Sequence, residues 1–201
     1  MTSSWHRHVI ALTGSIGSGK STALEILNKL GAYVLSADDL SRLAASPSSP
    51  GLNRIVKAFG IQILRADNTL DRKQLAKIVF EDSKKRTILE NILHPIIRDL
   101  AGVEFSKALK KKYPLYVYDI PLLFETGLYK EGFKKTVLIS TPDELCIQRA
   151  AKRDGLTQEE VKKRLVNQMP LDEKRKLADI VINNSGSIEE LENELKKLLF
   201  L

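Results

Sequence analysis

Residues 14–22 read Gly-Ser-Ile-Gly-Ser-Gly-Lys-Ser-Thr, and this stretch decides the fold because it fits the pattern G-x-x-x-x-G-K-[ST] at every constrained position. The glycines let the backbone wrap so that successive N–H groups converge on phosphate oxygens, while the following helix directs its positive N-terminal end at the same anion. In such loops the lysine reaches the β and γ phosphates, and the next hydroxyl binds Mg²⁺. The stretch therefore predicts a phosphate-binding loop in which Lys20 serves the ligand rather than the core.

The residues around the loop have the required context. Residues 9–13 form an apolar run typical of a buried strand, and residues 22–30 have helical spacing. Further strands are predicted at 32–35, 115–119, 136–140 and 179–183. Strands that alternate with helices in this way indicate an α/β fold with a parallel sheet.

Composition bounds the class of protein. With 201 residues and 43% apolar content, the chain can bury a substantial core as one nucleotide-binding unit with insertions. No apolar run approaches the ~18 residues of a membrane span, there is no signal-peptide pattern, and Cys146 is the single cysteine, so we expect a cytoplasmic protein. The net charge of +7 is spread over several helices, which favours solvated helix ends and a positive substrate cleft over a nucleic-acid partner.

Acidic residues follow two of the predicted strands. Asp38 and Asp39 come just after the second strand, where side chains of an α/β sheet meet the ligand crevice, although either could simply cap the next helix. Asp119 closes the strand at 115–119, which is the position of the aspartate that holds or orients Mg²⁺ in phosphate-loop proteins. That signal is weak alone and gains weight from the loop at Gly14.

The chain from the break at 46–51 to about Lys112 is mostly amphipathic helix without strong strands. We interpret it as an insertion that covers the crevice and holds a second substrate. His94 and Arg98 share one face of its long helix, although a lone histidine on a helix is more often structural. Pro95 is expected to bend that helix just after His94.

Two basic helices joined by a glycine turn follow the fourth strand. Arg149 and Arg153 lie one turn apart, and Asp154-Gly155 ends their helix. The pattern suits a mobile lid whose arginines close over a transferred phosphate, and the alternative is a solvated basic hairpin.

The chain resembles the dephospho-CoA kinase family over essentially its full length. The segments that carry this resemblance are the loop Gly14–Thr22, Leu30-Gly31, Ala37-Asp38 with Arg42, His94-Pro95 with Arg98, residues 121–125, Arg149 with Arg153, Gln168, and residues 178–184. The resemblance implies an α/β, P-loop NTPase-type three-layer fold with a five-stranded parallel sheet. It also implies that ATP phosphorylates the ribose 3′-hydroxyl of dephospho-CoA, a small-molecule partner.

The same resemblance implies one catalytic domain over residues 1–201. Its nucleotide-binding core covers about 6–37, 113–146 and 173–201, the helical acceptor-binding insertion about 38–112, and the lid about 147–172. We expect no nucleic-acid or membrane partner, and a monomer or weak homo-oligomer.

The resemblance also assigns roles to individual residues. Asp38, Lys20, Arg149 and Arg153 are implied as catalytic, with Asp38 accepting the hydroxyl proton. The residues expected to bind ATP are Gly14, Ser15, Ile16, Gly17, Ser18, Gly19, Lys20, Ser21, Thr22 and Asn183. Those expected to bind dephospho-CoA are Asp38, Arg42, His94, Arg98, Leu123 and Glu125. Ser21 is expected to bind Mg²⁺ and Asp119 to assist indirectly.

One departure concerns the residue before Ala37. The family usually has Asp-Ala-Asp after the second strand, whereas this chain has Ser36-Ala37-Asp38, so one negative charge is missing near the expected metal.

Other classes of protein also use a phosphate-binding loop. A GTPase-like switch is not favoured, because the sequence contains neither the Asn-Lys-x-Asp segment of such proteins nor their Asp-x-x-Gly segment following a strand. Another P-loop small-molecule kinase, for a nucleoside or nucleotide, is the main alternative because the core alone does not name the acceptor.

Overall fold

A computed structural model describes residues 4–201, and five strands within this range form one parallel sheet. The strands are β1 (Ile10–Gly14), β2 (Tyr33–Ser36), β3 (Tyr116–Asp119), β4 (Lys135–Ser140) and β5 (Ile180–Asn183). Their order across the sheet is β2-β3-β1-β4-β5. Strand β1 is therefore central, with β3 and then β2 on one side and β4 and then β5 on the other. A strand order that reverses beside β1 opens a crevice at its carboxyl end, where the phosphate-binding loop begins. The predicted α/β fold is confirmed.

Helices occupy most of the remaining described chain. They are α1 (Lys20–Lys29), α2 (Ala37–Ala44), α3 (Pro50–Phe59), α4 (Arg72–Glu81), α5 (Ser83–Leu109), α6 (Asp143–Asp154), α7 (Gln158–Val166), α8 (Leu171–Leu177) and α9 (Ile188–Lys197). Short 3₁₀ turns occur at Ser4–His8, Ile61–Ile63, Leu128–Glu131 and Leu198–Phe200. Within residues 4–201, no helix combines the length and the apolar character of a membrane span.

The central strand is the most buried part of the sheet. All five residues of β1 are buried, which is expected for a parallel strand covered on both faces. Its side chains pack with the apolar stripes of α1 and α9, including Leu27, Leu191 and Leu195. The loop that leaves β1 is therefore anchored at its start in a fully buried strand.

The chain divides into two compact units. The first comprises the chain up to Ser36 and Lys107–Leu201, and it contains the sheet. The second, Ala37–Ser106, is helical and has its own apolar core built from residues such as Leu52, Ile55 and Ile63. The domain assignment made from the sequence, with an insertion that binds an acceptor, stays a prediction.

One local feature differs from the sequence-based expectation. Helix α2 begins at Ala37, so Asp38 and Asp39 lie in its first turn rather than in a loop beyond the strand. Acidic side chains are favoured there by the positive end of the helix. Helix α5 runs through Pro95 as one element of 27 residues, as the sequence pattern indicated, and the bend expected after His94 stays a prediction.

Candidate active site

The phosphate-binding loop has a backbone that only glycine fits. Gly17 and Gly19 have positive φ angles of 77° and 85°, in the left-handed region that disfavours side chains. A Cβ atom on Gly17 would lie 2.8 Å from the carbonyl carbon of Cys146 in α6 and closer still to its oxygen. A Cβ atom on Gly19 would overlap the side-chain amide of Asn184. The loop is thus held against two other elements at van der Waals distance, as a preformed anion site requires.

Lys20 forms a close ion pair with Asp119. Lys20 is the first residue of α1, where backbone N–H groups lack intrahelical partners, and Asp119 is the last residue of β3. Their Nζ and Oδ1 atoms are 2.5 Å apart, and the two side chains are only 16% and 9% exposed. The lysine therefore has a structural contact as well as its expected ligand role, contrary to the view that it serves the ligand alone.

Asn184 connects the loop, β5 and Arg149. The buried side-chain amide of Asn184 donates to the Ser18 carbonyl at 2.7 Å. The backbone carbonyl of Asn184 accepts from Arg149 Nη1 at 2.8 Å. The Thr141 hydroxyl lies 3.0 Å from the same Ser18 carbonyl and 3.2 Å from the Asn184 carbonyl. The structure thereby brings Arg149 to the loop, where the sequence-based analysis expected a cation to face the transferred phosphate.

Two other expected residues have different neighbours. The Arg153 guanidinium makes two hydrogen bonds, of 2.7 and 2.8 Å, to the carboxylate of Asp154, and these bonds lower the pKa of Asp154. Asn183 is exposed, and its side-chain oxygen accepts from the backbone and hydroxyl of Ser185. Of the two neighbouring asparagines, it is Asn184 that contacts the phosphate-binding loop through its side chain.

Glu125 is part of a buried network rather than an open surface. Its Oε1 atom lies 2.9 Å from Nζ of Lys174 and accepts from the Met169 backbone at 3.0 Å. Lys174 is fully buried and lies 3.4 Å from the Ser15 hydroxyl of the loop. Leu123, also expected at the acceptor site, is fully buried in this structure, so it would have to become exposed to contact a substrate.

The departure from the family pattern lies beside Asp119. Ser36 ends β2 and is in register with Asp119 on the neighbouring strand. Residues paired in this way on parallel strands point to the same face of the sheet. An aspartate in place of Ser36 would therefore bring a second carboxylate to the face that carries Asp119.

Four of the six expected acceptor residues, Asp38, Arg42, His94 and Arg98, lie in the second unit. Asp38 is exposed in the first turn of α2, and Arg42, on the same helix, lies 3.4 Å from Asp39. That pair is about 71% exposed on both sides, so it adds little stability. His94 and Arg98 are exposed on α5.

Three residues at the loop escaped the sequence-based analysis as site residues: Asn184, Lys174 and Thr141. A polar residue just past a strand was a usable signal for Asn184 and Thr141, since the same rule selected Asp38. Lys174 had no such signal because it stands in a helix rich in Lys and Arg. Cys146 shows the expected burial, which raises the pKa of its thiol to about 11 and keeps it neutral near pH 7.

Comparison with known proteins agrees with this geometry. The dephospho-CoA kinase family model matches residues 8–190. A dephospho-CoA kinase from Syntrophotalea carbinolica is 43% identical over 191 residues, which cover 95% of this chain and 90% of the relative.

Two solved structures are similar along the whole chain. The crystal structure of TT1252 from Thermus thermophilus has a TM-score of 0.83 and 38% identity, and 97% of each chain is covered. A dephospho-CoA kinase from Campylobacter jejuni has a TM-score of 0.71 and 35% identity, with 96% of each chain covered. The match thus includes the sheet, the loop and the helical insertion, and the chain belongs to the dephospho-CoA kinase family.

Proposed function

We propose that the protein transfers the γ-phosphoryl group of ATP to the ribose 3′-hydroxyl of dephospho-CoA, giving coenzyme A and ADP. The observation that carries this proposal is the phosphate-binding loop with its Lys20–Asp119 pair at the carboxyl edge of the sheet. Family membership then selects the acceptor, which the loop alone does not.

The loop and its neighbours account for nucleotide binding. The backbone amides of the loop surround the phosphates, except for that of Ile16, which donates to Gln168. Lys20 moves from Asp119 towards the β and γ oxygens. Arg149, held by the Asn184 carbonyl, faces the transferring group and offsets its negative charge. Positioning and electrostatic stabilisation supply most of the catalysis of phosphoryl transfer.

The expected Mg²⁺ fits the oxygen donors at the loop. Ser21 offers a hydroxyl in the first turn of α1, and Asp119 offers a buried carboxylate. Hard oxygen ligands of this kind suit Mg²⁺, which normally takes one or two protein ligands and completes its shell with phosphates and water. When bound, the ion neutralises charge on the β and γ phosphates.

Asp38 is proposed as the general base. The ribose 3′-oxygen forms the new bond to Pγ, the bond from Pγ to the ADP oxygen breaks, and the hydroxyl proton passes to the Asp38 carboxylate. Arg42, His94 and Arg98 would bind the acceptor, and Arg153 would leave Asp154 to reach the phosphate when the lid at about 147–172 closes. Because residue 36 is Ser in this chain, Asp119 has no second carboxylate opposite it on β2.

The lid proposal has support in the packing of α6 and α7. Ile147 and Ala150 of α6 form an apolar cluster with Val161 of α7, and Ile16 of the loop packs against it. A movement of the lid would therefore alter the packing of the phosphate-binding loop. We further propose that the protein acts in the cytoplasm on small molecules alone, as a monomer or weak homo-oligomer.

The test is an ADP-release assay with ATP, Mg²⁺ and one acceptor at a time. Dephospho-CoA should support turnover, and the product should carry the new phosphate on the 3′-oxygen by ³¹P NMR. Nucleosides, nucleotides and shikimate serve as competing acceptors. Turnover with one of these and none with dephospho-CoA would overturn the proposed acceptor and favour another small-molecule kinase.

A further inference from the structure

The Glu125–Lys174 pair lies beneath the phosphate-binding loop. Lys174 has no exposed surface, and its ammonium group lies 2.9 Å from Glu125 and 3.4 Å from the Ser15 hydroxyl. A buried ammonium is costly unless it is paired and hydrogen-bonded, so the pair fixes where Lys174 and Glu125 can sit.

The segment that leads into α8 makes a second contact with the loop. The backbone N–H of Ile16 donates to the side-chain oxygen of Gln168 at 3.2 Å, and the N–H of Met169 donates to Glu125 at 3.0 Å. Two successive loop residues, Ser15 and Ile16, are therefore tied to residues 168–174. The Ile16 N–H serves as an anchor of the loop in this structure rather than as a donor towards a phosphate.

Stability alone is a poor explanation for this pair. Replacing a buried ion pair by apolar groups of similar size is often neutral or stabilising, whereas removing one partner is strongly destabilising. What a buried pair does provide is a fixed geometry. Here that geometry is imposed on a loop whose amides must converge on phosphates, and errors of about 1 Å in such positions cost about 10²-fold in function.

We infer that Glu125 and Lys174 are positioning residues that hold the phosphate-binding loop in its nucleotide-binding conformation. Glu125 acts through Lys174 and Met169, and not as a contact to the acceptor. This inference rests on the proposed use of ATP. It deepens that proposal by naming the residues that hold the phosphate-binding loop in place.

The experiment separates positioning from stability by removing the charges singly and together. The variants are Lys174→Met, Glu125→Gln and the double variant. ATP affinity is measured by calorimetry in the absence of acceptor, together with the thermal midpoint and the KM for dephospho-CoA. The matched control is the exposed pair on the same helix, changed in the same way: Glu173→Gln with Lys176→Met.

Lys174→Met should lose stability because the Glu125 carboxylate is left buried without its cation. The double variant should regain most of the thermal midpoint, yet its Kd for ATP should stay raised by about tenfold or more, because Ser15 has lost its anchor. The KM for dephospho-CoA should stay within about twofold of the wild type, because neither substitution removes a contact to the acceptor. The control pair should change none of the three quantities.

Two results in the variants would overturn the inference. Wild-type ATP affinity in the stable double variant would make the pair purely structural, and a raised KM for dephospho-CoA at unchanged ATP affinity would return Glu125 to the acceptor site. A wild-type protein that binds ATP but leaves dephospho-CoA unphosphorylated refutes the proposed acceptor, while the comparison of ATP affinities still decides the role of the pair. A wild-type protein that binds no ATP overturns both proposals.

Discussion

Replacing Gly17 by alanine tests how tightly the phosphate-binding loop is packed against α6. Gly17 has a φ angle of 77°, and its added Cβ would lie 2.8 Å from the carbonyl carbon of Cys146 and 3.0 Å from its Cα. The neighbouring atoms are backbone, so they cannot rotate away as a flexible side chain would. The loop or the helix must therefore move by about 1 Å to restore ordinary van der Waals contact.

Two costs add in this variant. A left-handed conformation costs a residue with a Cβ about 1–2 kcal/mol, and overpacking costs about 1–3 kcal/mol, so Gly17→Ala should lose about 2–5 kcal/mol of unfolding free energy. For a chain of this size each kcal/mol lowers the thermal midpoint by about 2–4 °C. A displacement of about 1 Å also takes hydrogen-bond donors out of range, so ATP affinity should fall by at least about tenfold.

The matched control is Gly132→Ala. Gly132 has a similar φ angle of 83°, and its added Cβ would meet nothing within 4 Å. The Gly132→Ala variant should lose about 1–2 kcal/mol of unfolding free energy, which is the conformational cost alone, and should keep the ATP affinity of the wild type. Chemical denaturation gives both free energies, and calorimetry gives both affinities. Equal losses of stability in the two variants, or unchanged ATP affinity in Gly17→Ala, would refute the close packing described for the loop.

Three further predictions test the catalytic residues. Lys20→Met should abolish turnover and cost about 3 kcal/mol of stability, because buried Asp119 loses its partner, and adding Asp119→Asn should restore the thermal midpoint without activity. A thermal midpoint unchanged in the single variant contradicts this ion pair. Arg149→Ala should lower kcat by about 10²-fold with a smaller effect on ATP binding, and steady-state kinetics that show near-normal turnover would place it outside the transition state. Asp38→Asn should lower kcat by about 10²- to 10⁴-fold, while Asp39→Asn should be mild; the opposite ranking in the same assay would make Asp39 the base.

The first turn of α2 changes the reasoning behind the last of these tests. Neighbouring side chains on an extended strand would point to opposite sides, so only one of Asp38 and Asp39 could then face the crevice. In a helix they are separated by about 100°, since each turn has about 3.6 residues. The choice of Asp38 therefore rests on the family pattern rather than on strand alternation.

Local signals made the loop and the strands predictable from sequence. The glycine and lysine spacing of residues 14–22 depends on backbone conformations that only those residues adopt, so the pattern carries its own structure. The apolar run that becomes β1 requires burial on both faces, which is why it predicts a central parallel strand. The same kind of signal anticipated the glycine turn after α6, where Gly155 has a φ angle of 66°.

Side-chain partners were much harder to predict. Lys174 stands in a helix rich in charged residues, and its full burial against Glu125 depends on how distant parts of the chain pack. The choice between Asn183 and Asn184 depends on the register of β5 on β4, which pairs Asn183 with Ser140 and leaves Asn184 to follow the strand.

The sequence by itself determined the phosphate-binding loop, the α/β order of strands and helices, and the family that they indicate. These features arise from conformational preferences and apolar periodicity over a few neighbouring residues. Only the tertiary structure decided that Lys20 pairs with Asp119, that Asn184 rather than Asn183 contacts the loop, and that Glu125 is held by Lys174. Such contacts join residues far apart in the chain, and their free energy depends on burial and distance, which exist only once the sheet and its helices have packed.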